Sequence, residues 1–378
     1  MTAHFIGLMS GTSLDGVDGV LARVDAQGQV QVVSHAFVAF DAPFKTTLMA
    51  LNQSGPDELH RGALAGNQIA RFYAEVVQAL LQQSGLPAQE ITAIGAHGQT
   101  VRHRPLAFDG DSAKQQAAVG YTLQLNNPSL LAELTGIDVV ADFRSRDLAA
   151  GGQGAPLVPA FHHGVFAQED ACVAVLNIGG ISNLSVLQPG ALVTGWDCGP
   201  GNALMDFWCA MHTGQPFDRD GAWAASGQVN AQLLAALLEE PFLHQAPPKS
   251  TGRDLFNPAW LSERMQGHSG LPAADVQATL TEYTASACAN DVQRHANEAA
   301  TLVVCGGGAL NGHLMRRLAQ HLHHLRVIGS ETCGLPPLQV EAAAFAWLAF
   351  KTMRRETASL PSVTGARGAR VLGAIYPR

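Results

Sequence analysis

The sequence predicts a mixed α/β protein built from two related units, and three observations carry that reading. The chain has 378 residues, enough for two or three domains of roughly 150 residues each. Hydrophobic residues make up 47% and charged residues 14%, which supplies a large core and leaves too few charges for a disordered chain. One opening pattern (strand, Gly/Ser/Asn turn, strand, strand) occurs near residue 5 and again near residue 171.

In chain order, residues 5–9 are apolar and read as a strand. Residues 10–16 supply turn formers, and strands resume at 17–24 and 29–40. Three β segments joined by short turns predict an antiparallel meander. Residues 56–84 have helical spacing, with Leu59, Ala63, Ile69, Phe72, Val76 and Leu80 on one side. A short buried strand at 91–96 ends at His97-Gly98-Gln99-Thr100, a helix covers 130–134, and a strand covers 138–141. The Gly/Pro-rich run 149–159 reads as a hinge. The first domain is therefore expected over 1–145 with a returning strand in 362–378, and the second over 146–361.

The second unit opens with a strand at 171–177, a turn at 178–183, and strands at 184–188 and 191–196. Helices follow at 203–212, 229–238, 273–299 and 310–321. A strand at 302–305 feeds Gly306-Gly307-Gly308, the last long helix runs over 338–354, and 371–375 returns as a strand to the first domain.

Charge excludes several functions. There are 23 Lys and Arg against 31 Asp and Glu, a net charge of −8, with no basic stripe of the kind that displaces counterions from a nucleic acid. No apolar run reaches the length of a membrane span, and no Lys or Arg precedes Arg23, so no signal-peptide start is visible. The six cysteines form no C-x-x-C pair and lie in apolar runs, which predicts reduced, buried thiols in a cytoplasmic protein. No zinc-ligand spacing occurs, and no protein-bound metal site is expected.

Nucleotide phosphates need close backbone N–H groups, hence glycine. The P-loop and dinucleotide fingerprints are both absent. The hairpin tips 10–16 and 179–183, one per unit, offer another way to hold a polyphosphate, and Gly306-Gly307-Gly308 would let a flat base lie on bare backbone. Hairpins use such residues for purely conformational reasons too.

Asp197 follows a predicted strand and precedes Cys198-Gly199-Pro200-Gly201-Asn202, a place where a carboxylate can accept a proton from a nucleophile or simply cap the next helix. Asp206 is a weaker candidate on that helix. Asp142-Phe143-Arg144-Ser145-Arg146-Asp147 would either grip an acidic substrate or form an ion-pair network between domains. His97 and Gln99 stand at a strand end. Glu341 opens an apolar helix, where it also suits the helix dipole.

Together these segments resemble the anhydro-N-acetylmuramic acid kinases. The carriers are 5–18 (Phe5 through Met9-Ser10-Gly11-Thr12-Ser13-Leu14-Asp15-Gly16-Val17-Asp18), His97-Gly98-Gln99-Thr100, Asp142-Phe143-Arg144 with Asp147, and 151–159. They continue with Asn177-Ile178-Gly179-Gly180-Ile181-Ser182-Asn183, Asp197 to Asn202, Gly306-Gly307-Gly308 and Glu341-Ala342. The resemblance implies two duplicated actin-like (acetate-and-sugar-kinase, ribonuclease H-like) domains around an ATP cleft, and a cytoplasmic homodimer. It implies ATP with Mg²⁺ as cofactor, and 1,6-anhydro-N-acetylmuramic acid and water as the other substrates. It assigns Asp197 as catalytic base and Glu341 as its helper in the sugar pocket. Nucleotide binding falls to Gly11, Thr12, Ser13, Leu14, Asp15, Gly16, Val17, Asp18, Asn177, Gly179, Gly180, Gly306, Gly307 and Gly308. Sugar contacts fall to His97 and Gln99, and on charge grounds Arg144 or Arg146 would meet the lactyl carboxylate. The residues alone leave open a kinase acting on an ordinary sugar hydroxyl, a nucleotide-sensing module, and a two-carboxylate glycoside hydrolase.

Overall fold

The computed structural model describes residues 2–11, 13–105, 118–247, 249–252 and 255–378. It divides into two compact units: residues 1–165 with 339–378, and residues 166–338.

The first unit opens with β1 (Ala3–Ser10), β2 (Gly16–Val24), β3 (Val30–Ala39), α1 (Ala42–Leu51) and α2 (Glu58–Ser84). It continues through β4 (Ile91–Arg104), β5 (Tyr121–Leu125), α3 (Pro128–Thr135), β6 (Val139–Ala141), α4 (Ser145–Ala149) and α5 (Val158–Phe166). The second unit holds β7 (Val173–Ile178), β8 (Ile181–Leu187), β9 (Thr194–Pro200), α6 (Ala203–Thr213), α7 (Ala222–Ser226), α8 (Ala231–Leu238), α9 (Pro258–Arg264), α10 (Ala273–His295), β10 (Thr301–Cys305), α11 (Gly312–His321) and β11 (Arg326–Gly329). The chain then rejoins the first unit with α12 (Val340–Met353), α13 (Pro361–Thr364) and β12 (Ala374–Tyr376).

The sheets share one topology. In the first, β3-β2-β1-β4-β6 run in that order, with β1–β2 and β2–β3 antiparallel and β1–β4 and β4–β6 parallel. In the second, β9-β8-β7-β10-β11 repeat the order and every strand direction. The duplication expected from the opening pattern is thus present at the level of strand order. β5 pairs antiparallel with the far end of β4, and β12 pairs with β6, the returning strand foreseen in the sequence.

In the first unit, alternate β1 residues face opposite sides, as the two-residue period of a strand requires. Ile6 and Leu8 join the core with Ile69, Tyr73 and Val76 of α2. On the other side α12 lies directly on main chain: a Cβ at Gly7 would fall 1.8 Å from the Ala342 carbonyl oxygen, and one at Gly95 would fall 2.0 Å from that of Phe345. Those two glycines are fixed by close approach. In the second unit the nearly all-buried α10 packs over β8 and β9, flanked by α6, α8 and α11.

Several expectations change. The domain boundary falls at 165/166 and 338/339, so α12 belongs to the first unit. The presumed hinge at 149–159 is pinned within that unit. Asp147, fully buried, accepts the Gly154 N–H at 2.8 Å and the Thr364 hydroxyl at 2.9 Å, and Gln153 N–H donates to the Thr364 carbonyl at 2.9 Å. α1 was not foreseen, although Asp41 caps it by accepting the Phe44 N–H and Pro43 sits in its first turn. On α2, Leu59 and Ala63 are exposed, and the buried face begins at Ala65. Cys198, Cys209, Cys288 and Cys305 are buried as expected, but Cys172 is half-buried and Cys333 exposed. Among the described residues, no helix is long and apolar enough to cross a membrane.

Candidate active site

In the first unit the chemistry gathers where β4 bends. Gly98 adopts φ +81°, and the β1–β4 register shifts there, from Leu8 opposite Ala96 to Ser10 opposite Gln99. His97 and Gln99 therefore sit inside a continuous strand, not after its end as the sequence reading had it. Only glycine takes that backbone angle freely. The bend is held from both sides: Gly98 N–H donates to the buried Tyr73 hydroxyl at 2.9 Å, and Ser10 Oγ donates to the Gly98 carbonyl at 3.2 Å. Burial pushes the Tyr73 phenol up to about 12, against the hydrogen bonds of Ser10 and Gly98.

Arg144 reaches the same place. Its Nε and Nη2 donate to His97 Nε2 at 3.2 and 3.0 Å, and its Nη1 donates to the Gly154 carbonyl at 2.7 Å. Burial holds His97 well below the ordinary histidine range, and the Arg144 charge adds to that, against backbone hydrogen bonds at Gly98 and Ser10. The ring is neutral, with Nε2 the acceptor and its proton on Nδ1. Burial brings Arg144 down to about 10, opposed by the negative charge of Glu341, so it stays cationic at neutral pH. His97 also packs its ring 4.7 Å from Phe345, one turn along α12 from Glu341. His97, Arg144 and Glu341 thus form one cluster. Gln99 donates from Nε2 to the Gly11 carbonyl at 3.1 Å, tying the cluster to the β1–β2 turn. Arg146 is exposed on α4 and stands apart, and Asp147 is structural, so no ion-pair network forms from this segment among the described residues.

The β1–β2 turn separates its own residues. Gly11 is half-buried, with no neighbour closer than 3.6 Å to a Cβ built on it, and Ser13 and Asp15 are exposed. Thr12 lies outside the described residues. Leu14, at φ +61°, and Val17 bury their side chains in the core, and Gly16 is required because a Cβ would meet the Val38 carbonyl oxygen at 2.2 Å. Asp18 lies within β2, where His35 Nε2 and its Oδ1 are 3.1 Å apart.

In the second unit three distant glycine segments converge. Gly201, Asn202 and Ala203 N–H groups donate to the carbonyls of Gly180, Gly179 and Gly180 at 2.9, 2.7 and 3.2 Å. Gly306, at φ +78°, packs against β7: a Cβ there would meet Asn177 Oδ1 at 2.5 Å, and one on Gly308 would meet the Ile178 side chain at 2.4 Å. Gly307 differs, because its nearest neighbour would be Asn202 Nδ2 at 3.2 Å, and Gly179 is likewise open. The Gly179 N–H already donates to the Ile181 carbonyl at 3.2 Å. The open space at Gly179 and at Gly307, with Asn202 beside Gly307, fits a phosphate or a flat base. Asn202 was missed as a site residue, though its place in the Gly199-Pro200-Gly201-Asn202 run signalled it.

Asp197 is half-buried within β9, which runs on to Pro200, not beyond the end of a strand as expected. Its N–H donates to the Lys249 carbonyl at 3.1 Å. Its Oδ2 accepts the Ser250 hydroxyl at 2.8 Å and the Thr251 N–H at 2.9 Å. Among the described residues nothing donates to Oδ1. Burial raises the carboxyl above its usual value, against the Thr251 and Ser250 hydrogen bonds and the Lys249 charge. A carboxylate with one oxygen held, the other without a donor among the described residues and a raised proton affinity has the features of a general base. Asp206 is half-buried on α6. No group of three or more His, Cys, Asp or Glu among the described residues could hold a metal ion.

The family described as anhydro-N-acetylmuramic acid kinase matches residues 3–378. Relatives of that name include one from Variovorax paradoxus, 65% identical over 99% of this chain and 98% of its own. Others come from Albidiferax ferrireducens, 58% identical over the full length of both, and Chromobacterium violaceum, 52% identical over the full length of both. The match over the whole chain and the relatives' shared name make the protein a kinase. The chain belongs to the anhydro-N-acetylmuramic acid kinase family.

Proposed function

We propose that the protein uses water to open 1,6-anhydro-N-acetylmuramic acid and passes the γ-phosphoryl group of ATP to the freed oxygen, giving N-acetylmuramic acid 6-phosphate and ADP. Water attacks the anomeric carbon and loses a proton to Asp197; the bond from that carbon to O6 breaks; O6 takes the phosphoryl group as the bond to ADP breaks. The Asp197 proton then passes to solvent. Family membership supports the substrate class, and the observation that carries the mechanism is the Asp197 carboxylate, fixed at Oδ2 and with no donor to Oδ1 among the described residues.

Phosphoryl transfer needs positioning and charge neutralisation more than covalent chemistry. Mg²⁺ entering with the nucleotide supplies part of that neutralisation. Gly179, Gly180 and Gly307 offer main chain to the nucleotide. Arg144 spends three of its five N–H donors on His97 and Gly154, leaving two for an anionic group such as the lactyl carboxylate. Glu341 beside it would hold a sugar hydroxyl. We place the reaction in cytoplasmic cell-wall recycling and expect a homodimer.

The test incubates protein and anhydro sugar in ¹⁸O-water, with and without Mg-ATP, and weighs the product. Label at the anomeric position together with an ATP-dependent phosphate is expected. Phosphorylation without label beyond slow anomeric exchange would favour a kinase for an ordinary hydroxyl, and label without ATP would favour a hydrolase. Asp197→Asn is expected to keep nucleotide affinity and lose about 10²–10⁴-fold in kcat. Activity rises with pH as Asp197 loses its proton, so the acid limb of the rate profile should lie above that of an ordinary aspartate.

A further inference from the structure

Behind Asp197 lies an ion pair that the reaction just described does not use. Lys249 Nζ is 3.0 Å from Asp291 Oδ2, and the two side chains are 1% and 2% exposed. Burying two charges costs several kcal/mol each before their attraction is counted, so such a pair is weak evidence for stability. Its connections point elsewhere. Asp291, on α10, also accepts the Trp196 indole N–H at 3.0 Å, and Trp196 is the chain neighbour of Asp197. Lys249 offers its own carbonyl to the Asp197 N–H, and the next two residues supply both donors to Asp197 Oδ2. One aspartate on a long buried helix therefore fixes the strand that carries Asp197 and the irregular segment that grips its carboxylate.

We infer that the Lys249–Asp291 pair is a positioning device for Asp197: it holds residues 249–251 against β9 so that Oδ2 keeps two donors and Oδ1 stays turned to the reacting water. This rests on the reading of Asp197 as the base. Among the described residues, Lys249 is the charge that bears on Asp197. Its ammonium also lies 5.1 Å from the Phe242 ring centre and within 3.4 Å of the Leu243 carbonyl. Arg294 donates to that same carbonyl at 3.4 Å, and His295 meets the Trp196 ring at 5.0 Å. The Cys198 and Cys288 thiols are buried beside them, and burial holds the Cys198 thiol high.

Two variants test the inference. Lys249→Met/Asp291→Asn removes both charges with little change of volume and leaves an acceptor for Trp196. Ser250→Ala removes one donor at an exposed position and leaves the buried pair untouched. In the double variant kcat should fall by about 10²-fold, as misplacement of a reacting group does, with KM for ATP unchanged. The acid limb of the kcat/KM profile should move to higher pH in both, because each loses a group that favours the ionised carboxylate. A purely structural pair would lower the melting temperature and leave the rate and pH profile of the folded enzyme as in the parent. That result, in either variant, overturns the inference. Asp197→Asn is measured alongside. If it loses turnover while these variants match the parent, only the positioning role fails. If it keeps turnover, the base assignment fails and the positioning role with it.

Discussion

Two N–H groups of Arg144 converge on one nitrogen of His97, Nε at 3.2 Å and Nη2 at 3.0 Å from His97 Nε2. A neutral imidazole can accept both because its own proton is on the opposite nitrogen. The pair makes a rigid cationic surface whose planar fork is also anchored at the Gly154 carbonyl. Lysine has no such fork. Arg144→Lys should therefore weaken the anhydro sugar about tenfold or more, from lost hydrogen bonds to a charged group, and leave ATP affinity as it was. Calorimetric titration with each ligand reads the two effects separately. An equal loss for both ligands would mean the fork supports the fold and not the sugar.

Acid should destabilise the protein through its buried neutral histidines. Burial brings His162 down to about 3 and holds His97 well below its usual value. Between pH 6.5 and those lowered values the unfolded chain binds the proton and the folded one does not, so stability falls as pH falls. Each such group contributes about 1.4 kcal/mol per pH unit within its window. Urea unfolding at pH 7.5 and pH 5 measures the loss, and His162→Leu should make the dependence shallower. A slope that this variant leaves unchanged would place the acid sensitivity elsewhere.

The triple glycine separates backbone demand from ligand demand. Gly308→Ala drives a Cβ into the Ile178 side chain at 2.4 Å and should cost about 1–3 kcal/mol of stability, the usual range for overpacking. Gly307→Ala meets only Asn202 Nδ2, at 3.2 Å, and should melt close to the parent while binding ATP more weakly. Thermal melting with and without Mg-ATP distinguishes them. Parent-like nucleotide stabilisation in Gly307→Ala would remove that glycine from the nucleotide site.

Much of this was legible because glycine and alternation carry strong signals. The two meanders, the turn at Gly179–Gly180 and the strand into Gly306 follow from residues that few other backbones use. What went astray was read by the same logic too literally. Pro200 and Gly199 looked like a break, but β9 is an edge strand, where proline costs no ladder hydrogen bond. Gly98 looked like a strand end and is a bend within one. The segment that holds Asp197 has no periodicity; its only mark is the polar Lys249-Ser250-Thr251 run after prolines, and hydrogen bonds across 53 residues leave no local trace.

The first unit is discontinuous, and α12, which packs over β1, β2 and β4, arrives only after the second unit. During synthesis the continuous stretch 166–338 can fold as soon as it clears the ribosome, whereas β1 and β4 wait for their partner helix. The bare strips at Gly7 and Gly95 remain uncovered until then. Nascent chains stalled before residue 339 would present that sheet face to chaperones, and Glu341 would take up its place beside Arg144 among the last steps of maturation.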